Sequence, residues 1–213
     1  MFQNRQQAAE KLAKKLIKFK NKDDVVIIAL PRGGIILGQE IAGQLNAKLD
    51  ITAPRKISAP GNKEFAIGAI TEQGDAVLDE KIIQAYSINQ KYIEQEINKE
   101  TREAQRRLNL YRGEKKPVEL KNKTVIIVDD GIATGSTIKA CLKSIKNQNP
   151  RKIVIAVPVA PPDTLEKLKN KVDEIYCLIT SSMFFAVGQF YQEFNQVSDQ
   201  EVIDIMQKRK SYN

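Results

Sequence analysis

The sequence predicts an α/β fold, a mostly parallel twisted sheet flanked by helices. Three observations carry that expectation. Val25–Leu30, Thr124–Val128 and Lys152–Val159 are short apolar runs, rich in β-branched residues and bounded by turn residues, as strands buried on both faces are. Two of these runs end in glycine-containing turns that lead straight into helix-period patterns. Strand and helix patterns alternate along the chain, and such alternation builds parallel sheets with helices on both faces.

Taken in order, residues 3–20 read as an amphipathic helix. Leu12, Leu16 and Phe19 share a face, with Lys11, Lys14, Lys15 and Lys18 largely off it. Val25–Leu30 is the first strand. It ends in Pro31-Arg32-Gly33-Gly34, and a helical pattern follows from about Ile35 to Ala47. Asp50–Ala53 reads as a short strand. Residues 54–65 hold two prolines, a glycine and three cations and read as a functional loop about a dozen residues long. Ala66–Thr71 and Ala76–Leu78 resemble a hairpin pair around Glu72–Asp75.

Ser87–Gln90 has capping-box spacing and opens a long charged helix that runs to about Tyr111 and is ended by Gly113 and Pro117. Its Arg102, Arg106, Arg107 and, just beyond, Arg112 suit nucleic acid, a subunit contact or simple solvation. The central strand Thr124–Val128 precedes a helix at about 138–147. Lys152–Val159, a short helix ending at Lys169, and the strand Glu174–Ile179 complete the alternation. The tail carries an aromatic-rich stretch at Phe184–Tyr191, and Ser198–Glu201 caps a final helix.

Composition narrows the chemistry. A chain of 213 residues is long enough to bury a sizeable core and is read as a single domain. The absence of histidine excludes Ser-His-Asp and Cys-His centres and argues against a zinc site. Acid–base work then falls to carboxylates, lysine, tyrosine or the substrate. Cys141 and Cys177 lie far apart without metal-ligand spacing, as buried thiols in a reducing cytoplasm would. No apolar run reaches membrane-span length and no secretory signal is visible, so a soluble protein with no membrane partner is expected. The net charge of +8 suits a polyanionic ligand, nucleic acid or an acidic partner, but a Lys-rich composition gives it without any of these.

The chemistry concentrates in Thr124–Thr137. An apolar strand runs into Asp129 and Asp130, then through Gly131-Ile132-Ala133-Thr134-Gly135-Ser136-Thr137 into a helix. Gly131 and Gly135 allow close backbone approach. The amides from Thr134 to Thr137 would meet an anion at the helix N-terminus, helped by three hydroxyls. Two carboxylates beside an anion cradle require a ligand that also carries a divalent metal or a sugar diol. Pro31–Gly34 is a second strand–glycine turn–helix unit of the same geometry.

These residues resemble the type I phosphoribosyltransferase family, whose signature is an apolar strand, two acids and a Thr-Gly-Ser/Thr-Thr turn, here Val125–Thr137. The resemblance covers most of the chain. It is similar in particular to a bacterial subgroup of predicted phosphoribosyltransferases with no assigned acceptor, which the long helix at 88–111 fits. The resemblance implies binding of 5-phosphoribosyl-1-diphosphate (PRPP) with Mg²⁺ and transfer of the phosphoribosyl group to a nitrogen acceptor, expected to be a nucleobase, with release of pyrophosphate. It also implies a homodimer.

By the same resemblance, Ala133, Thr134, Gly135, Ser136 and Thr137 hold the 5′-phosphate, and Asp129 and Asp130 face the ribose and the metal. Arg32, Gly33 and Gly34 hold pyrophosphate, in a loop whose peptide geometry is unusual in the family. Arg55, Lys56 and Glu64 belong to a loop that closes over the reacting centre, with Arg55 and Lys56 reaching pyrophosphate once it closes and Glu64 the candidate acid–base group. Residues 180–197 form a hood in which Phe185 stacks on the base and Val187 lies at its edge. Two departures bear on the acceptor. Ala133 stands where 6-oxopurine enzymes carry an acid, and Gln192 replaces the hood's metal-contacting aspartate, with Glu193 beside it. A different class of function is a PRPP-sensing regulator that binds RNA or DNA, which the charge permits and for which the sequence offers no dedicated nucleic-acid motif.

Overall fold

The computed structural model describes residues 1–208, apart from the side chains of Lys63 and Glu64. The chain begins with helix α1 (Arg5–Lys15), strand β1 (Val25–Ala29), helix α2 (Gly34–Leu45) and strand β2 (Lys48–Ile51). Strands β3 (Arg55–Ala59), β4 (Asn62–Ile70) and β5 (Ala76–Leu78) follow, then helices α3 (Glu80–Ala85) and α4 (Gln90–Arg112). The second half runs β6 (Thr124–Val128), α5 (Ser136–Lys146), β7 (Lys152–Ala160), α6 (Pro162–Lys169), β8 (Glu174–Thr180) and α7 (Asp199–Lys208).

Five strands form a parallel sheet in the order β2-β1-β6-β7-β8. Side chains alternate between its faces, as the period of two requires. Val25, Ile27, Ala29, Ile126 and Val128 point to a core closed by α1, α2, α7 and the end of α4. Val26, Ile28, Leu30, Val125 and Ile127 point the other way, to α5 and α6. Both faces are therefore apolar, which is why these strands read as continuous hydrophobic runs. From β1 the chain winds outward to β2, and from β6 it winds the opposite way to β7 and β8. The winding reverses between β1 and β6, paired from Val25↔Thr124 to Ala29↔Val128, so the loops leaving these two strands part and open a crevice.

The dozen-residue loop expected at 54–65 is instead a hairpin. β3 and β4 pair antiparallel around Pro60-Gly61, and Gly61 turns there with φ +73°. The polar residues that suggested a loop are interleaved with buried apolar ones in a strand: Ile57 and Ala59 are buried while Arg55, Lys56 and Ser58 are not. β4 also pairs with β5, as the expected 66–78 hairpin requires, giving a second, three-stranded sheet. It packs through Ile57, Ile67 and Ile70 on Ile93 and Ala104 of α4.

The region between the second sheet and α4 differs too. A separate helix, α3, forms with Asp79 as its cap, Oδ1 accepting from the Ile82 amide. Ser87 is not the cap of the long helix. It adopts a left-handed conformation, and Asn89 caps α4 by accepting from the Lys91 amide at 2.8 Å. Asn is as good a cap as Ser, so local sequence did not separate the two. The basic residues of α4 are largely engaged within the fold: Arg106 and Arg107 with Glu103, and Arg112 with the buried Asp50. At the C-terminal end, Ser198 and Glu201 make the expected reciprocal capping box. Cys141 is buried, Cys177 half-buried, and both are unpaired. No helix among the described residues is long and apolar enough to cross a membrane.

Candidate active site

The crevice at the β1–β6 junction brings together the two glycine turns that the sequence singled out. The Leu30 amide donates to the Val128 carbonyl at 3.0 Å, which carries the β1–β6 pairing one residue past the strand ends. Gly33 and Gly34 then lie against the carboxylates. A Cβ on Gly33 would sit 1.8 Å from Asp130 Oδ2, and one on Gly34 would sit 2.9 Å from the Val128 carbonyl oxygen and 3.1 Å from Asp129 Oδ1. Only glycine allows this approach. The Pro31–Arg32 peptide is cis, in keeping with the unusual peptide expected of this loop.

Two helices start at the crevice, α2 at Gly33–Gly34 and α5 at Gly135–Ser136. Neither has a side-chain cap, whereas α1, α3 and α4 are capped by Asn4, Asp79 and Asn89. The first amides of a helix lack intrahelical partners, so the α5 N-terminus keeps donors and partial positive charge for an anion, whereas at the start of α2 the Gly34 and Ile35 amides already donate to the Leu30 and Arg32 carbonyls, at 3.1 and 3.3 Å. Gly135 turns with φ +76° to start α5, and the Thr134 and Ser136 hydroxyls lie 3.2 Å apart beside it. The Ala133 carbonyl accepts from the Thr164 hydroxyl at 2.7 Å, which ties this loop to α6.

The carboxylates are unequal. Asp129 Oδ1 accepts from the Asp130 amide at 2.9 Å, and no cationic side chain among the described residues pairs with it. Burial first, and then the Asp130 carboxylate, push Asp129 well above the usual carboxylate range. Asp130 is also raised by burial, but the Arg5 guanidinium opposes the shift. Arg5 Nε donates to Asp130 Oδ2 at 2.8 Å, and the two side chains are 11% and 14% exposed. The Tyr191 hydroxyl donates to the Asp130 carbonyl oxygen at 2.6 Å. Burial and then Asp130 push its phenol up. Such a pair attracts hydroxyl donors or a cation. The described residues hold no group of three or more His, Cys, Asp or Glu placed for a metal. Two carboxylates still fit Mg²⁺, which keeps water and phosphate oxygens as its remaining ligands.

The other expected residues divide into two groups. Lys56 lines a cleft of about 650 Å³ together with Thr134, Ser136, Lys139, Lys167 and Lys81, so the β3–β4 hairpin faces the turn that starts α5. Thr137 lies in the first turn of α5. Val187 sits against Gly131, where its Cγ1 would be 2.6 Å from an added Cβ, so the hood touches the loop after the acids. Phe185 is 91% exposed, with its amide held by the Gln189 side chain at 2.7 Å. Arg32 and Arg55 are engaged elsewhere: Arg32 pairs with Asp199 at 3.8 Å, and Arg55 with Glu100 at 2.8 Å. Glu64 falls within β4, and its side chain lies outside the described residues.

Sequence reading missed Arg5, Tyr191, Phe194 and Asn195. Arg5 had one available signal: it is the sole arginine before Arg32, in a segment with six lysines. An arginine kept among lysines marks a need for a planar, multiply donating cation.

Comparison with known proteins agrees with this geometry. The family model described as "Phosphoribosyl transferase domain" matches residues 2–195. A Mycobacterium tuberculosis (strain H37Rv) protein provisionally named a phosphoribosyl transferase is 36% identical over 208 residues, 98% of this chain and 47% of the relative. The chain thus spans about half the length of the curated relatives it matches. The crystal structure of TT1426 from Thermus thermophilus is similar with a TM-score of 0.81 and 36% identity, covering 96% of this chain and 97% of that one. A purine phosphoribosyltransferase from Pyrococcus horikoshii shares the fold, with a TM-score of 0.50, 20% identity and coverage of 85% and 88%. The crevice, its paired acids and its two glycine turns therefore belong to a member of the phosphoribosyl transferase domain family.

Proposed function

We propose that this domain is a phosphoribosyltransferase that takes PRPP with Mg²⁺ and transfers the 5-phosphoribosyl group to a nitrogen acceptor of the nucleobase class, releasing pyrophosphate. One observation carries the reading: the open N-terminus of α5 and the glycine turn that starts α2 flank a carboxylate pair at the point where the sheet reverses its winding. Two anion sites flanking a site for a diol or a cation match a ribose that bears a phosphate at one end and a diphosphate at the other.

In this reading the amides and hydroxyls of Thr134–Thr137 take the 5′-phosphate. Gly33, Gly34 and Arg32 take pyrophosphate, and Asp129 and Asp130 face the ribose. Asp129 and Asp130 are also the residues that would hold Mg²⁺, which when bound supplies positive charge to the leaving pyrophosphate. The acceptor nitrogen's lone pair forms the new bond to the anomeric carbon. The carbon–oxygen bond breaks, and its electron pair leaves with pyrophosphate. Positive charge that develops on the ring is stabilised by the carboxylates beside it. The acceptor's proton, where it has one to lose, passes to Glu64 on the β3–β4 hairpin. Lys56 on the same hairpin draws the diphosphate across the cleft, and Arg55 joins it by leaving Glu100. The exposed ring of Phe185 stacks on the base, with Val187 at its edge.

The test is pyrophosphate release from Mg-PRPP against a panel of purines, pyrimidines and amines, with Asp129→Asn as control. Release with one acceptor, lost in the variant, is expected. Silence throughout, with tight and strongly salt-dependent RNA or DNA binding, would contradict the reading and favour a PRPP-sensing regulator.

A further inference from the structure

We propose that Arg5 is a positioning residue of the site: its guanidinium takes up the Asp130 carboxylate, so that Asp129 is the acid left to meet the cation or the ribose diol. The proposal rests on the donor reading above and adds a residue from outside the family's signature turns.

Arg5 is held on three sides. Its Nε donates to Asp130 Oδ2 at 2.8 Å, and its Nη1 donates to the Asn195 carbonyl oxygen at 2.7 Å. Its guanidinium lies 3.8 Å from the centroid of the Phe194 ring. Two donors pointing at different acceptors, with a flat face on an aromatic ring, are what arginine offers and lysine does not. The pair is also pressed against the β1 turn, because a Cβ on Gly33 would meet Asp130 Oδ2 at 1.8 Å and Arg5 Nε at 3.1 Å. One side chain thus joins α1, the hood, the β1 turn and the second acid.

The segment that delivers Arg5 is itself stitched in place. The Phe2 amide donates to the Phe190 carbonyl at 2.7 Å. The Gln192 and Glu193 amides donate to the Phe2 and Gln3 carbonyls, each at 2.8 Å. Asn4 caps α1 by accepting from the Gln7 amide at 3.0 Å, which fixes the direction in which the first helical residue, Arg5, leaves the chain. Tyr191, next to Phe190, holds the Asp130 backbone from the other side. Asp129 has no comparable cation among the described residues.

The consequence is a division of labour. With Asp130 neutralised by a built-in cation, the protein offers one uncompensated carboxylate, and a divalent cation is held weakly until donor phosphates complete its shell. The test compares Mn²⁺ affinity without donor, read from the electron paramagnetic resonance of free Mn²⁺, in wild type, Arg5→Gln and Arg5→Lys, with thermal melting to establish folding. Arg5→Gln is expected to bind Mn²⁺ about tenfold tighter, the scale set by removing a nearby unit charge in a partly buried site. Arg5→Lys keeps the charge, so its Mn²⁺ affinity should stay near wild type while its affinity for Mg-PRPP falls through loss of the second hydrogen bond and the stacked plane.

Unchanged Mn²⁺ affinity in folded Arg5→Gln would overturn the proposal. Should that variant not fold, Asp129→Asn and Asp130→Asn decide. Loss of Mn²⁺ binding in the first and its retention in the second support the assignment, and the reverse pattern overturns it. The Mn²⁺ comparison uses no donor, so a failure of the donor reading shows separately, as wild-type protein that does not bind Mg-PRPP.

Discussion

The glycines around the crevice show how much one atom decides. At Gly33 there is no space for a methyl group, because the Asp130 carboxylate already occupies it, whereas a Cβ on Gly43 near the end of α2 meets nothing within 4 Å. Gly33→Ala is therefore expected to cost ~1–3 kcal/mol through overpacking, and Gly43→Ala to gain ~0.5–1 kcal/mol by restricting the unfolded chain. Urea unfolding of the two variants beside wild type reads the opposite signs directly. At this scale the sequence is uneven. Asp129, Asp130, Gly33 and Gly34 stand out because turn glycines and paired acids are rare in apolar surroundings. Arg5 does not, because its role depends on a partner 125 residues away. Arg55 shows the opposite difficulty: its surroundings suggested a mobile anion clamp, while in the folded chain it pairs with Glu100.

At the scale of elements, apolar patterning was sufficient wherever both faces of a strand are buried. β1, β6 and β7 are continuous hydrophobic runs whose type and approximate limits can be read directly. It was insufficient for β3, where alternate residues face outward and the prolines at 54 and 60 suggested a loop. Periodicity also says nothing of how elements are pinned to one another. Glu174 at the start of β8 is one such pin, accepting from Lys152 of β7, from Lys18 just after α1, and from Tyr176. The Lys152 contact, then Lys18 and Tyr176, lower its pKa from the ordinary value near 4.5 to about 2. A carboxylate whose pKa is depressed in the folded state contributes stability that is present above the unfolded value. That contribution is lost as pH falls toward the folded value. Thermal melts should then show wild type more stable than Glu174→Gln at pH 7, with the gap narrowing between about pH 4.5 and 2 and absent below that. A constant gap across the range would mean that the side chain acts by packing rather than by charge.

For the whole molecule, the architecture explains why the crevice turns are readable in the sequence and the hood is not. The turns after β1 and β6 border one crevice because the winding reverses between those strands; the alternation of elements in the sequence implies the parallel sheet, and the glycines mark both turns. The hood has no such constraint. It is a short 3₁₀ turn at Val187–Phe190 and irregular chain, held by the Gln189 side chain and by pairing with Phe2 and Gln3. Its contacts come from the two ends of the chain and leave no periodic trace. Ala133 and the exposed Phe185 carry no comparable signal, whereas the Pro31–Gly34 and Gly131–Thr137 turns are marked by glycines directly after apolar strands. The charge of the molecule is also better understood from the folded chain: Lys56, Lys81, Lys139 and Lys167 line the cleft that contains Thr134 and Ser136, so part of the excess positive charge is directed at the proposed phosphate site.

Equilibrium titration calorimetry of PRPP tests most directly whether the carboxylate pair, the open end of α5 and the glycine turn before α2 form one PRPP site. Wild-type protein should bind PRPP in the presence of Mg²⁺ and much more weakly without it, and Asp129→Asn should lose the Mg²⁺-dependent gain while melting as wild type does. Binding that is indifferent to both Mg²⁺ and Asp129, or no binding by folded wild-type protein, would contradict the account.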